Sequence, residues 1–179
     1  MAFPIAHPAV VLPLALLPKR YASATGLIIG SLTPDLPHLA GISASGVYDS
    51  WTALFWFCLP AGLILSFTFH RWLRVPLILW LPRGLKSRFA RFKEFDWVHH
   101  LRRYWPAVIL SLLVGSASHL AWDALDLTHT NGHVFRDLLA FTKPLNLGAF
   151  QIPLIRTIQH TPSVLGIIFI GLFIYRMPQ

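Results

Sequence analysis

The run SWTALFWFCLPAGLILSFTF, Ser50–Phe69, is twenty residues long, carries no formal charge and ends at His70-Arg71. At 1.5 Å per residue it makes a helix of about 30 Å, the thickness of a bilayer's hydrocarbon core. A second run, Tyr104–Trp122, is interrupted only by His119, and a third, Thr157–Tyr175, holds His160 near its start and is closed by Arg176. Two shorter apolar runs come first, the proline-rich Phe3–Pro18 and the fourteen-residue Tyr21–Pro34. Both fall short of the roughly 17–25 residues a span needs. They predict short tilted helices, a re-entrant pair, or a packed hairpin shielded by the other three. The expectation is an all-α, multi-pass integral membrane helical bundle in a single domain over residues 1–179.

Composition agrees. Of 179 residues, 55% are hydrophobic and 12% charged, and mean hydropathy is +0.57. A soluble domain carries about 25% charged residues, and this chain has too few to coat a surface. Thirteen Phe and seven Trp exclude a disordered chain. The net charge of +8 could suggest nucleic acid. The bases are instead concentrated beside apolar runs, where lipid headgroups and membrane topology account for them, so no nucleic-acid partner is expected. Cys58 is the single cysteine, which rules out an intramolecular disulfide. The start, MAFPIAH, lacks a basic n-region and does not read as a cleaved signal peptide.

Nine Lys/Arg lie between Arg71 and Arg103. The positive-inside rule places this loop, about 71–103, in the cytoplasm of a cell whose inner membrane holds the chain. Within it Val75–Pro82 is an interfacial apolar octet. Arg83–Arg103, with Leu85, Phe89 and Phe92 on one stripe, predicts a helix lying in the headgroup layer. Threading outward brings Arg176 to the inner side, and Lys19-Arg20 too if the first two runs form a hairpin, and leaves an outer polar loop at about 123–156. Five of the seven carboxylates and six of the nine histidines then share the outer end. Among them are His7, Asp35, His38, Asp49, His119, Asp123, Asp126, His129, His133 and His160.

His119-Leu-Ala-Trp-Asp123 puts an imidazole and a carboxylate on one helical face. Ionisable groups at the end of a span are costly unless paired or functional. The pair suits a zinc-type metal, or a hydrogen bond that pins two helices. Asp126, one turn on, is a ligand, an outer partner or a solvated loop residue. Asp35, between Pro34 and Pro37, is held rigidly and either ligates or caps the following turn, and His38 ligates or lies at the surface. His7, beside Pro8, and His160 are each either core histidines or ligands. Asp49 precedes a span and can cap it. His129-Thr-Asn-Gly-His133 holds a turn-forming Asn-Gly, so its spacing does not imply a helix. The chain contains no phosphate loop, nucleophile elbow or paired-Cys knuckle.

The order of these elements is His7-Pro8, Gly30-Ser31-x-x-Pro34-Asp35, Phe69-His70-Arg71, Gly115-x-x-Ser118-His119-x-x-Trp122-Asp123, Thr128–Gly132 and Gln159…Ser163-Val-Leu-Gly166. Over nearly the whole chain it resembles the bacterial membrane family catalogued as domain of unknown function 4184, which has no established activity. It is also distantly similar to membrane-bound metal-dependent hydrolases, which share an early His, a Pro-Asp and a His-x-x-x-Asp. Those in turn resemble zinc-dependent phospholipases. The resemblance implies metal positions at His7, Asp35, His119 and Asp123. Where such sequences often carry Thr-His-Ser, this chain reads Tyr48-Asp49-Ser50. Either Asp49 stands in as a ligand or one metal position is missing.

Two functions are therefore expected as rivals. One is a metal-dependent hydrolase, zinc being the first metal expected, acting on a lipid or lipid-linked phosphoester or another small molecule. In it Asp49 or Asp126 is the general base and His160 a further ligand or acid. The other is a non-catalytic membrane protein, a scaffold or an ion or proton handler, whose His/Asp set braces helices. The inner halves of the long runs lack ionisable residues, which argues against a pathway but not against a scaffold. Oligomeric state is not legible.

Overall fold

Proline and small residues decide where this helical chain bends and where its helices touch. The computed structural model describes residues 6–42, 47–48, 50–125, 145–147, 150–152 and 154–177, with side chains for 6–42, 47–48, 50–123 and 163–177. Helix α1, Pro8–Val11, tightens into a 3₁₀ turn over Leu12–Leu16. Pro13 has no N–H to continue an α-helical ladder. Helix α2, Ala24–Leu32, starts where the Ser23 hydroxyl accepts from the Gly26 N–H at 3.3 Å. It ends at Thr33, whose N–H bonds the Gly30 carbonyl, and Pro34 has no N–H to continue the ladder. Nine residues make about 14 Å of helix. Among the described residues neither early run forms a helix long enough to cross a bilayer, and both become short helices packed against longer ones. Helix α3, Leu36–Leu39, is a single turn closed at Gly41, whose φ is 75°.

Helix α4 runs from Leu54 to Trp80, past the expected stop at Phe69 and through Val75–Pro82 almost to its end. Two π turns interrupt it, Leu54–Cys58 and Phe69–Leu73. Leu59 N–H bonds the Leu54 carbonyl and Arg74 N–H bonds the Phe69 carbonyl, each one residue wider than α spacing. Pro60 and Pro76 follow these turns closely, and a widened turn makes room for a ring that an α ladder cannot hold.

The amphipathic helix expected over Arg83–Arg103 is not continuous. Helix α5, Arg83–Phe89, passes into a 3₁₀ turn, Ala90–Phe92, and α6, Trp97–Leu125, begins anew. Asp96 causes the restart, its carboxylate accepting from the His99 N–H at 3.0 Å. Arg74 holds the intervening segment open by donating to the Phe95 and Lys93 carbonyls. Helix α6 therefore begins before the expected Tyr104. It deviates from helical backbone at Tyr104 (φ −125°, ψ 31°), just ahead of Pro106. Strands β1, Leu145–Leu147, and β2, Phe150–Ile152, pair antiparallel with Asn146 opposite Gln151. This ribbon is an addition to the all-helical expectation. Helix α7, Leu154–Tyr175, covers the third expected span.

The most extensive packing joins α2 to α6. A Cβ built on Gly30 meets the Leu112 carbonyl oxygen at 2.3 Å, and one on Gly115 meets the Leu27 carbonyl oxygen at 2.4 Å. Backbone thus touches backbone, the mode by which helices associate in lipid through small residues. Ser116 Oγ donates to the Gly30 carbonyl at 2.9 Å, and Ser23 N–H donates to Ser111 Oγ at 2.8 Å. Val108 and Leu112 of α6 and Leu27 of α2 are fully buried around this crossing. Gly62 of α4 lies over Leu112 and Thr33, and Gly166 of α7 lies over Ala6 and Ala9. Arg88 of α5 reaches the Tyr175 and Met177 carbonyls and so caps the end of α7. Replacing Ser116 by alanine is expected to cost about 1 kcal/mol, the net contribution of a typical intramolecular hydrogen bond. Differential scanning of the purified protein measures this.

Two helices, Leu54–Trp80 and Trp97–Asp123, are long and apolar enough to cross a membrane. Their most apolar windows are 22% and 44% buried within the protein, so much of each faces outward. Phe55, Trp56, Ile64 and Leu110 are among the large apolar side chains left exposed.

Candidate metal centre

One end of the molecule gathers the ionisable residues that its helices cannot leave in an apolar setting. His119 lies near the end of α6 and is almost fully buried. Helical spacing puts Asp123 on the same face, with Oδ2 3.1 Å from His119 Nε2. Asp35 follows α2 directly, and its Oδ1 is 3.5 Å from the same Nε2. It occupies the N-cap position of α3 yet makes no capping hydrogen bond. Of the two readings open for Asp35, the cap is not realised and the carboxylate faces His119.

His7 enters from a third segment. It is buried, its ring stacks on that of His119 with centroids 4.1 Å apart, and its Nε2 is 3.6 Å from Asp123 Oδ1. The Asp123 carboxylate thus stands between two imidazoles, one oxygen toward each. Donor atoms of His7, His119 and Asp123 all lie within 4.8 Å of one another, and Asp35 borders them through His119. His7 is placed by Pro8, which opens α1, and by Gly166, against which the backbone of Ala6 packs.

The tautomer of His119 follows from its other nitrogen. Nδ1 is 2.7 Å from the Ser31 carbonyl oxygen, which can only accept, so Nδ1 carries the proton and donates. Neutral His119 therefore presents a lone pair at Nε2, the arrangement by which a second hydrogen bond orients metal-binding histidines. Two neutral imidazoles and two carboxylates sum to a charge of −2. Metal–nitrogen and metal–oxygen bonds of about 2.0–2.2 Å place neighbouring donors roughly 2.8–3.6 Å apart in octahedral or tetrahedral coordination. The separations of 3.1, 3.5 and 3.6 Å match that spacing. The donor chemistry fits a divalent cation.

The structure thus brings together His7, Asp35, His119 and Asp123, the four residues put forward as ligands. His38, half-buried in α3, does not belong to the three-donor group. Asp49, Asp126, His129 and His133 lie outside the described residues, and so does the side chain of His160. Sequence reasoning missed the support of the cluster: the Ser31 carbonyl, the α2–α6 glycine contact that brings it to His119, and Gly166 behind His7. The signals were present as Gly26-x-x-x-Gly30 and Ser111-x-x-x-Gly115, a small-residue spacing that marks close helix crossings.

The opposite end of the long helices is basic. His100 and His119 are nineteen residues apart on α6, about 28 Å of helix. Near His100, Arg74 Nη1 approaches His70 Nδ1 at 3.1 Å, and His70 Nε2 meets Thr25 Oγ1 at 2.9 Å. A guanidinium only donates, so His70 is neutral with its proton on Nε2. The Lys19 ammonium stands 5.8 Å from the Phe95 ring centre, which brings the Lys19-Arg20 turn to this end as well.

Fold and site together define a predominantly helical protein with two membrane-length helices and a buried His/Asp centre at one end. The chain belongs to the family described as a domain of unknown function (DUF4184), whose profile matches residues 1–179. No curated protein and no solved structure matches it.

Proposed function

We propose that this protein is a multi-pass integral membrane protein whose His/Asp centre is a metal-dependent hydrolytic site for a lipid or lipid-linked phosphoester. The observation that carries the reading is the meeting of His7, His119 and Asp123, whose donor atoms lie within 4.8 Å of one another, with Asp35 beside His119 from a third segment. Membrane residence is supported by the apolar side chains that α4 and α6 turn outward, because burying such surface in lipid removes its contact with water. The concentration of bases at the far end favours a cytoplasmic basic end and an outward-facing centre. Zinc is the first metal to test, since imidazole and carboxylate suit it, and manganese the second.

His7, His119 and Asp123, with Asp35 beside them, would hold a divalent cation, which would supply a water of pKa about 7 and polarise a phosphoryl oxygen. The protein's own part is positional. Ser31 fixes His119 in the ligating tautomer, and Asp123 sets a carboxylate oxygen toward each imidazole, so that it would share the ion with them. Asp35 adds a second carboxylate beside His119 and so a further oxygen donor at the centre. Asp49 or Asp126 as general base, and His160 as acid or ligand, complete the proposal.

One observation favours a second reading. His119 Nε2 stands between two carboxylate oxygens, at 3.1 and 3.5 Å. A protonated imidazolium in that position would brace three segments without any ion. Metal analysis and calorimetry of protein purified without a histidine tag separate the two. The hydrolase reading expects about one zinc or manganese per chain. Metal at 100-fold over its dissociation constant then adds about 2.7 kcal/mol of stability, and phosphatidic acid or bis(p-nitrophenyl) phosphate is cleaved in a chelator-sensitive way. Metal-free protein whose melting ignores chelator overturns it and leaves the brace.

A further inference from the structure

We propose that the basic end of the molecule, residues 71–103, is a docking surface for anionic phospholipid headgroups, independent of the chemistry at the opposite end. The nine Lys/Arg of this stretch face two acids, Glu94 and Asp96. Three of the nine are already committed: Arg74 to the Phe95 and Lys93 carbonyls, Arg88 to the end of α7, and Lys86 to the Leu79 carbonyl. Arg71, Arg83, Arg91, Arg102 and Arg103 are exposed. The exposed Lys19 and Arg20 join them at the same end.

Charge alone would suit any acidic partner, and the apolar groups between the charges decide which. Trp72 is 65% exposed, Trp80 89% and Trp105 58%. The last stretch of α4, Arg74–Trp80, buries Ile78 and leaves Val75, Leu77, Leu79 and Trp80 open, although Arg71 and Arg74 lie before it and Arg83 after it. Exposed aliphatic and indole groups interleaved with guanidiniums are costly against water and would contribute little against a polyanion. At a bilayer surface indoles take the glycerol and carbonyl level while guanidiniums reach the phosphates. The π turn Phe69–Leu73 and Pro76 lie where the chain passes from the apolar run to this mixed surface. A topology signal needs only a count of bases on one side; a headgroup surface needs them exposed beside interfacial aromatics, which is the arrangement here.

The test uses the full chain in mixed micelles holding equal amounts of phosphatidylglycerol and phosphatidylcholine, with lipid retention read by native mass spectrometry. Each Lys/Arg near an anionic surface contributes about a fivefold gain in binding, so the wild-type protein is expected to retain phosphatidylglycerol at least about fivefold over phosphatidylcholine, less so as salt is raised. The variant R83Q/R91Q/R102Q/R103Q is expected to lose that preference. Should it not accumulate, R83Q/R91Q, both outside α4 and α6, is expected to lose part of it. Equal retention of the two lipids by the wild type overturns the proposal, as does a preference that the variants keep. A wild type without lipid preference that captures an acidic protein through the same arginines also overturns it. Metal content of the variants reports separately on the opposite end, so the failure of one proposal is distinguishable from the failure of the other.

Discussion

Protein carrying His119→Ala is expected to fall from about one bound zinc or manganese per chain to near none. Affinity should drop by more than the roughly 10–100-fold that loss of an outer hydrogen-bond partner costs a metal site. His119 is the residue through which the cluster is joined, its Nε2 facing both Asp123 and Asp35 and its ring lying on that of His7. Removing it takes away one donor and leaves two half-buried carboxylates without the imidazole between them. His99→Ala is the control, an exposed histidine at the basic end whose backbone N–H, rather than its ring, meets Asp96. Elemental analysis and calorimetric titration of both proteins measure the difference. A His119→Ala protein that still binds one metal tightly would remove the centre proposed above, however it folds.

The second large effect is expected from Gly30→Val. A Cβ at Gly30 would lie 2.3 Å from the Leu112 carbonyl oxygen and 3.0 Å from the Leu112 Cα. Neither neighbour is the flexible end of a side chain, so the clash is relieved only by moving α2 away from α6. Overpacking of cores costs typically about 1–3 kcal/mol and more where backbone must move, and a β-branched residue fills the gap further. The same displacement separates the Ser31 carbonyl from His119 Nδ1 and pulls Asp35 back from Nε2. Gly30→Val is therefore expected to lose both thermal stability and metal although every ligand is intact. Gly84→Ala and Gly171→Ala, where an added Cβ meets nothing within 4 Å, are expected to leave both unchanged. Melting curves with and without added metal separate these outcomes. Tight metal binding retained in Gly30→Val would show that the crossing does not set the ligand geometry.

Much of this could be read without coordinates, and the reason is energetic. An apolar run of membrane length is legible because hydrophobic burial is additive along a helix, so α4 and α6 announce themselves in Ser50–Phe69 and Tyr104–Trp122. The pair His119 and Asp123 is legible because helical spacing places them on one face and an ionisable pair in an apolar run is too costly to be incidental. Helix limits were less legible. The start of α6 at Trp97 depends on a hydrogen bond from Asp96, and the broken stretch before it on Arg74 reaching across from α4. Neither contact leaves a periodic trace in the amino-acid order.

The chain's composition, its apolar periods and the order of its His, Asp, Gly and Pro residues specify a helical protein of this family with its bases concentrated in one stretch and His119 and Asp123 on one helical face. Which of those residues meet is a matter of long-range geometry. His7 reaches Asp123 because Gly166 lets α7 sit against Ala6, and Asp35 faces His119 instead of capping α3 because Gly30 and Gly115 let two backbones touch. Those distances are settled by contacts a few tenths of an ångström wide between segments far apart in the chain, and spacing along a sequence holds no record of separation across space.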